Sequence, residues 1–205
     1  MSKILSTAVA VFLIFTAYSQ QQNSTKIVMD SITANLERLF MEDQLFRQLY
    51  LDAERKFGKD SEEMEYFWQV VEEQDHRIEN ELIKILDQYG WLGISDVGRR
   101  GNTAIWAIIQ HSPVELKQKY APLMKASILK KESQPRHYAR LIDRMLINQG
   151  QPQIYGTQTT RDEGGNLVFY EIDAPEKVNE RRRAIGLSVT IGAFAKQNGI
   201  EWNIE

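Results

Sequence analysis

The chain has 205 residues, a formal net charge of -3 at pH 7 and no cysteine. This length fits one ordinary domain with a real core, and the lack of cysteine excludes disulfides and a lipid-modified cysteine anchor. The mild acidity argues against a nucleic-acid partner, because a surface that follows phosphates needs clustered excess Lys and Arg.

The first nineteen residues have the pattern of a secretory signal peptide. Lys3 precedes a twelve-residue apolar run (4–15), and the small residues Ala17 and Ser19 lie before a cleavage ahead of Gln20. Twelve residues are too few to cross a membrane, which needs about twenty. We therefore predict a periplasmic or secreted protein that is soluble after cleavage near Ser19 and has no membrane span. A retained anchor or a buried N-terminal helix is the alternative.

The rest of the chain predicts a polar, disordered leader over residues 20–28 and a single domain over residues 29–205. Apolar residues recur at steps of three and four along most of this domain, which indicates a mainly α-helical, bundle-like fold. The predicted helices cover approximately residues 29–57, 61–89, 104–111, 114–131, 134–148, 173–185 and 188–196.

The helix borders are predicted from local signals. Ser61 begins the second helix and Gly90 ends it. Residues 93–103 contain three glycines and predict a loop, with Asn102 or Thr103 capping a third helix that is apolar on every side and therefore central. Ser112, followed by proline and glutamate, predicts the cap of the fourth helix.

The segment from 152 to 173 does not look helical. Two β-prone runs, 153–159 and 167–172, flank a turn at 162–165, which is typical of a β-hairpin. Gly156 lies inside the first run, in the string Tyr155-Gly156-Thr157-Gln158. A glycine there predicts a bulge or the close approach of another group to the backbone, and hence one wall of a site.

Several polar side chains fall either on helix faces that should point inward or in the predicted hairpin beside them. Buried charges are costly unless they are paired, so these groups should converge. They are Asp43, Arg47, Asp75, His111, Asp143, Arg144, Tyr155, Gln158 and Arg182, with Gln110 beside His111.

Two interpretations of this set stay open. In the first, the charges form a structural network, in which Arg182 and Arg144 pair with Asp75 and Asp143 and His111 bonds to a backbone carbonyl. In the second, they line a pocket for a small anionic or amide-bearing ligand, and His111 and Asp143 are the catalytic groups of a hydrolase-like or lyase-like enzyme. The remaining members would then bind the ligand: Asp43, Arg47, Asp75, Gln110, Arg144, Tyr155, Gln158 and Arg182.

A function of another class is a non-enzymatic protein-binding module. Its partner would contact an exposed apolar or acidic surface, and an exposed patch that includes Trp202 or Phe169 would favour this function. The polar residues would then be only a structural network.

More specific enzyme motifs are absent from the sequence. There is no cysteine, no Gly-x-Ser-x-Gly elbow and no phosphate-binding glycine loop. The three histidines, His76, His111 and His137, lack the spacing of metal ligands, so we predict no metal and no cofactor. His76 and His137 are predicted to lie on the surface.

The order of short motifs resembles a bacterial family catalogued as domain of unknown function 6624. The resemblance runs from about residue 40 to 190 and depends mostly on the strings Gln110-His111 and 155–158. It also includes Gly90-Trp91 and Asp143-Arg144. The resemblance implies a shared fold and a shared pattern of inward polar residues, and it implies no activity.

Overall fold

The computed structural model describes residues 2–203, with side chains described from residue 20 onward. Over this range the chain forms seven α-helices, a 3-10 turn and one two-stranded antiparallel sheet, which confirms the mainly α fold with one hairpin. The elements are α1 (Ser2–Phe57), α2 (Glu62–Tyr89), α3 (Ile94–His111), α4 (Val114–Leu129), α5 (Pro135–Asn148), β1 (Thr159–Arg161), β2 (Leu167–Phe169), the 3-10 turn (Pro175–Lys177), α6 (Val178–Ala184) and α7 (Ile191–Asn198).

Helix α3 is the central element, as its uniformly apolar second half predicts. It packs against α1, α2, α4 and α5, and Ile105 and Ile108 are buried among Leu36, Leu39 and Leu82. These buried side chains form the continuous core of the described chain. Because α3 touches four other helices, its C-terminal residues meet side chains from all of them.

The predicted loop at 93–103 is wrong, because α3 already begins at Ile94. The Asp96 carboxylate accepts a hydrogen bond from the backbone N–H of Gly93, at 2.8 Å, and so caps the helix start. Gly98 has a φ of 68° inside the helix and produces a kink there. Asn102 is not a cap; it is buried, and its amide donates to the Leu92 carbonyl at 2.8 Å.

Other predicted borders have mixed outcomes. The Ser61 hydroxyl accepts a hydrogen bond from the N–H of Met64, at 3.2 Å, and Gly90 ends α2 with a φ of 72°, as predicted. Ser112 does not cap α4; its hydroxyl donates to the Ile108 carbonyl at 2.9 Å. Ser112 is buried and bonds backward, so it completes the end of α3.

The N-terminal part of the chain was predicted to be a signal peptide followed by a disordered leader. Residues 20–28 are exposed and belong to α1, where the sequence predicts a disordered leader. A helix that is stabilised by the packed residues after 29 can extend into its flank, because adding a turn to a helix is easier than nucleating one. The predicted signal peptide, 1–19, lies outside the residues whose side chains are described and stays a prediction. Within the searched residues, no helix has the length and apolar character needed to cross a bilayer.

The hairpin is shorter than predicted. Thr160 in β1 pairs with Val168 in β2, and the Asp162 carboxylate accepts the N–H of Asn166 in the turn. Residues 153–158 do not continue the strand. They form a loop that closes over α5, because the Asp143 carboxylate of that helix accepts hydrogen bonds from three of their backbone N–H groups.

Candidate functional site

The structure separates the ten predicted site residues into two clusters. The first cluster lies where α1, α2, α3 and α5 meet, and contains Asp43, Arg47, Asp75, Gln110, His111 and Arg144. The second lies at the base of the hairpin, and contains Asp143, Tyr155, Gln158 and Arg182. The two clusters adjoin, because Gln110 of the first and Gln158 of the second both donate to the Arg140 carbonyl, at 3.5 Å each. A single pocket that contains all ten residues stays a prediction.

A chain of charged groups runs through the first cluster. His111 Nδ1 lies 2.9 Å from Asp43 Oδ1, and Asp43 is buried. Arg47 lies 3.2 Å from the same oxygen and binds both carboxylate oxygens of Asp75, at 3.1 and 2.6 Å. These contacts link α1 to α2 and α3, and the partner of His111 is a carboxylate instead of the backbone carbonyl of the structural interpretation.

Asp43 fixes the orientation of the His111 ring. A carboxylate only accepts hydrogen bonds, so Nδ1 carries the proton and Nε2 is the nitrogen left for a ligand. The Asp43 carboxylate also accepts from the Gln44 amide at 2.6 Å, which holds it in place. The His111 side chain is 28% exposed and lines a cleft.

The central cleft has a volume of about 710 Å³ and lies between α1, α3, α4 and α5, with α2 at one edge. Aromatic rings supply part of its walls, and His111 lies beside several cationic side chains. Its lining residues are Phe40, Gln44, Arg47, Tyr50, Trp68, Trp106, Ala107, Gln110, His111, Lys117, Arg140, Arg144 and Asn148.

Lys117 is a cleft residue that the sequence reasoning missed. It is only 3% exposed, and no carboxylate oxygen of the described residues lies within 4.0 Å of its amine. Burial lowers the pKa of Lys117, the nearby Arg144 lowers it further, and Glu79 opposes the shift. A buried amine without a counter-ion is rare, because the charged form loses its hydration.

The helical spacing of α4 could have shown that Lys117 points inward. Tyr120, Ala121 and Met124 are buried and follow Lys117 at three, four and seven residues, so Lys117 lies on the inward face. Leu123, although apolar, lies off this face and is exposed.

Two arginines of α5 complete the cationic wall of the cleft. Arg140 and Arg144 are one helical turn apart, and neither forms an ion pair with a described carboxylate. Partial desolvation lowers the pKa of Arg140, and Arg144 and Arg136 lower it further. The Arg140 guanidinium lies 5.9 Å from the centre of the Trp106 ring.

A side lobe of about 400 Å³ extends the cleft toward α2. Lys117 and His111 line both spaces, and the lobe adds Asp75 and Glu79. Burial raises the pKa of Glu79, while the Ser112 hydroxyl and His76 oppose the rise. His76 is exposed, as predicted.

His137 is buried, which makes its predicted surface position wrong. It is 4% exposed and its ring stacks on Trp106, with centroids 3.9 Å apart and planes 6° from parallel. Burial lowers its pKa from 6.5 to about 3, and Arg136 and Arg140 add to the shift. This neutral ring supports the Trp106 wall of the cleft from behind.

Asp143 organises the second cluster. It is fully buried and accepts four hydrogen bonds: from the N–H groups of Ile154, Tyr155 and Thr157, each at 2.9 Å, and from the Thr157 hydroxyl at 2.8 Å. Both carboxylate oxygens are occupied, so Asp143 holds the 153–158 loop on α5. The predicted catalytic role of Asp143 has no support in this arrangement.

The other residues of the second cluster also make structural contacts. Arg182 is inward, as predicted, but it donates to the carbonyls of Tyr155 and Val189, at 2.7 Å each, and does not pair with an aspartate. Gln158 is buried and its backbone N–H donates to the Gln153 side chain at 2.9 Å. Burial raises the pKa of Tyr155 to about 12.

Two further cavities lie outside the central cleft. One, of about 460 Å³, lies beside the hairpin and is lined by Arg182, Phe194 and Arg140 among others, so Arg140 borders both spaces. A larger one, of about 950 Å³, lies between residues 21–30 and the start of α3, and no predicted site residue lines it.

Gly156 confirms the predicted close approach to the backbone. Its φ is 66°, and a Cβ there would collide with the Cδ1 methyl of Ile191, at the start of α7. The approaching group is thus an apolar side chain of the fold.

Gly156→Ala is expected to lower the free energy of unfolding by about 2–4 kcal/mol, because left-handed backbone strain adds to the collision. Gly165→Ala is the matched control, since Gly165 has a φ of 80° with open space around it and loses only the strain contribution of about 1 kcal/mol. Urea unfolding of both variants measures the difference. Equal losses would contradict the packing role of Gly156.

Comparison with known proteins gives a family and no function. Neither the curated proteins nor the solved structures contain a match to this chain. One family model, described as a family of unknown function (DUF6624), matches residues 32–194. This span covers most of the chain and agrees with the resemblance seen in the motifs. The chain therefore belongs to the DUF6624 family.

Proposed function

We propose that the protein binds a small anionic ligand in the central cleft, and that His111 transfers a proton to or from this ligand in a hydrolase-like or lyase-like reaction. In this proposal the protein is exported and acts in the periplasm or outside the cell.

The observation that carries the proposal is the pair of arginines Arg140 and Arg144, which line the cleft beside Lys117 without an ion pair to a described carboxylate. Like charges that repel one another, with no described carboxylate in contact, are stabilised when an anion binds between them. Arginine is well suited to this role, because its planar guanidinium can hold a carboxylate or phosphate by two hydrogen bonds.

The pair of His111 and Asp43 supports a chemical role beyond binding. An imidazole held by a carboxylate through Nδ1 presents Nε2 in a defined direction, as general acid–base catalysis requires. The aromatic walls lower the local polarity, which strengthens electrostatic contacts with a bound anion.

Inorganic phosphate is a suitable probe for the anion site. We expect the NMR signal of the His111 ring to move on phosphate addition, while the signals of His76, which is exposed, and of His137, which is buried, stay in place. Arg144→Gln is expected to weaken this phosphate binding by about tenfold to hundredfold, since a charge-assisted hydrogen bond contributes about 1.5–3 kcal/mol.

The control is Arg99→Gln, which removes the same charge from an exposed position on α3 outside the cleft. It should bind phosphate like the wild type. A His111 signal that does not respond to phosphate, or that responds equally in Arg144→Gln, would contradict the anion site.

The second candidate function is a protein-binding module, and one observation favours it. Met41, Leu45 and Leu49 are large apolar residues that are exposed at steps of four along α1. Phe169 and Trp202 are less available to a partner, because their rings pack edge to face against each other with centroids 5.5 Å apart. A partner would therefore contact α1.

A further inference from the structure

We propose that the ligand is a small 2-oxo acid, and that the amine of Lys117 forms a covalent imine with its carbonyl carbon. The inference rests on the proposed function, because the carboxylate of the same ligand occupies the anion site at Arg144. Of the two proposed reaction types, hydrolase-like and lyase-like, an imine of a 2-oxo acid favours the lyase-like one.

The surroundings of Lys117 favour a neutral, nucleophilic amine. The side chain is 3% exposed. The titratable and charged groups around the cleft and its lobe are Arg47 on α1, Glu72, Asp75, His76 and Glu79 on α2, His111 on α3, and Arg140 and Arg144 on α5. No described carboxylate is within 4.0 Å of the amine. A lysine in such a setting loses its proton more readily than a surface lysine.

The position of Lys117 in α4 acts in the same direction. It lies in the first turn of the helix, after Pro113 at the N-cap. The helix dipole places partial positive charge at this end of α4, which disfavours the protonated form of the Lys117 amine. The direction of the Lys117 pKa, which burial and Arg144 both lower, agrees with this placement.

The cleft also holds the groups that imine formation needs. The amine attacks the carbonyl carbon, an N–C bond forms, and the carbonyl π electrons move to oxygen, which takes up a proton as the nitrogen loses one. Protonation of the resulting hydroxyl then lets the C–O bond break and water leave, giving the imine. His111 lines the same space and can supply and recover this proton, so no oxidant or reductant is required.

Reductive trapping tests the inference directly. The full chain is incubated at pH 7 with pyruvate and sodium cyanoborohydride, and the modified lysines are located by peptide mass spectrometry. We expect Lys117 to be labelled at least about tenfold more than Lys119 and Lys125, because Lys117 is buried beside Arg144, which favours its neutral amine, whereas the other two lysines are exposed. Equal labelling of the three lysines overturns the inference.

Two variants separate the nucleophile from the anion site. Lys117→Met keeps the side-chain length and should remove the selective label. Arg144→Gln should reduce labelling by pyruvate about tenfold more than labelling by acetaldehyde, which has no carboxylate and therefore loses only the effect of Arg144 on the Lys117 amine. A loss that is the same for both carbonyl compounds overturns the assignment of Arg144 to the carboxylate.

The result also distinguishes the two proposals. If phosphate still moves the His111 signal but Lys117 is not labelled, the anion site stands and the imine is wrong. If acetaldehyde labels Lys117 selectively but phosphate and pyruvate show no dependence on Arg144, the proposed anion site is wrong, and with it the 2-oxo acid.

Discussion

Asp143→Ala is expected to destabilise the protein by about 4 kcal/mol or more, enough to leave a large fraction unfolded at physiological temperature. The substitution removes an acceptor of four hydrogen bonds and leaves three backbone N–H groups of the 153–158 loop unpaired. Each unpaired buried group costs about 1–3 kcal/mol. Urea unfolding followed by circular dichroism measures the loss.

Asp162→Ala provides the control for this experiment. Asp162 also accepts hydrogen bonds from a nearby residue, Asn166, but it lies in the exposed turn of the hairpin. Its replacement should cost much less than that of Asp143, because water can replace the lost partners. A comparable loss in both variants would contradict the role of Asp143 as the anchor of the loop.

Acid is expected to destabilise the folded protein through His137. Its pKa is lowered to about 3 in the folded state, so the folded ring stays neutral where the unfolded ring, near 6.5, takes up a proton. The stability from this residue is therefore complete above pH 6.5 and is lost as the pH falls toward 3. The loss reaches about 2 kcal/mol by pH 5.

His137→Phe tests this linkage while it keeps an aromatic ring against Trp106. The variant should lose about 2 kcal/mol less than the wild type between pH 7 and pH 5. Above pH 7, where the His137 ring is largely neutral in both the folded and the unfolded chain, the two proteins should show the same pH dependence. Free energies of unfolding from urea titrations at both pH values decide the matter. A His137→Phe protein as sensitive to acid as the wild type would refute the role of the buried ring.

The helices could be predicted because their burial follows the helical period closely. Prediction failed at the start of α3, where Gly98 produces a kink and the cap is a backbone group held by Asp96. The three glycines of residues 93–103 indicated a loop, whereas packing against α1 stabilises this segment as a helix.

The site was only partly predictable, because its contacts join distant parts of the chain. Asp43 and His111 were both identified from their inward positions, yet they are 68 residues apart and nothing in the sequence pairs them. His137 lies in a polar stretch, and its burial depends on Trp106 of another helix. Asp143 was correctly predicted to point inward, but backbone N–H groups, which no side-chain pattern reveals, turned out to be its partners.

The unpaired amine of Lys117 also affects how this protein balances folding against activity. A methionine of similar length would fit the inward face of α4 without the loss of hydration that a buried amine suffers. The protein without ligand is thus less stable than its packing permits, and under the proposed function a bound anion would recover part of the difference. A methionine at this position would stabilise the fold but would remove the amine that the proposed ligand needs. Stability and activity therefore conflict at Lys117.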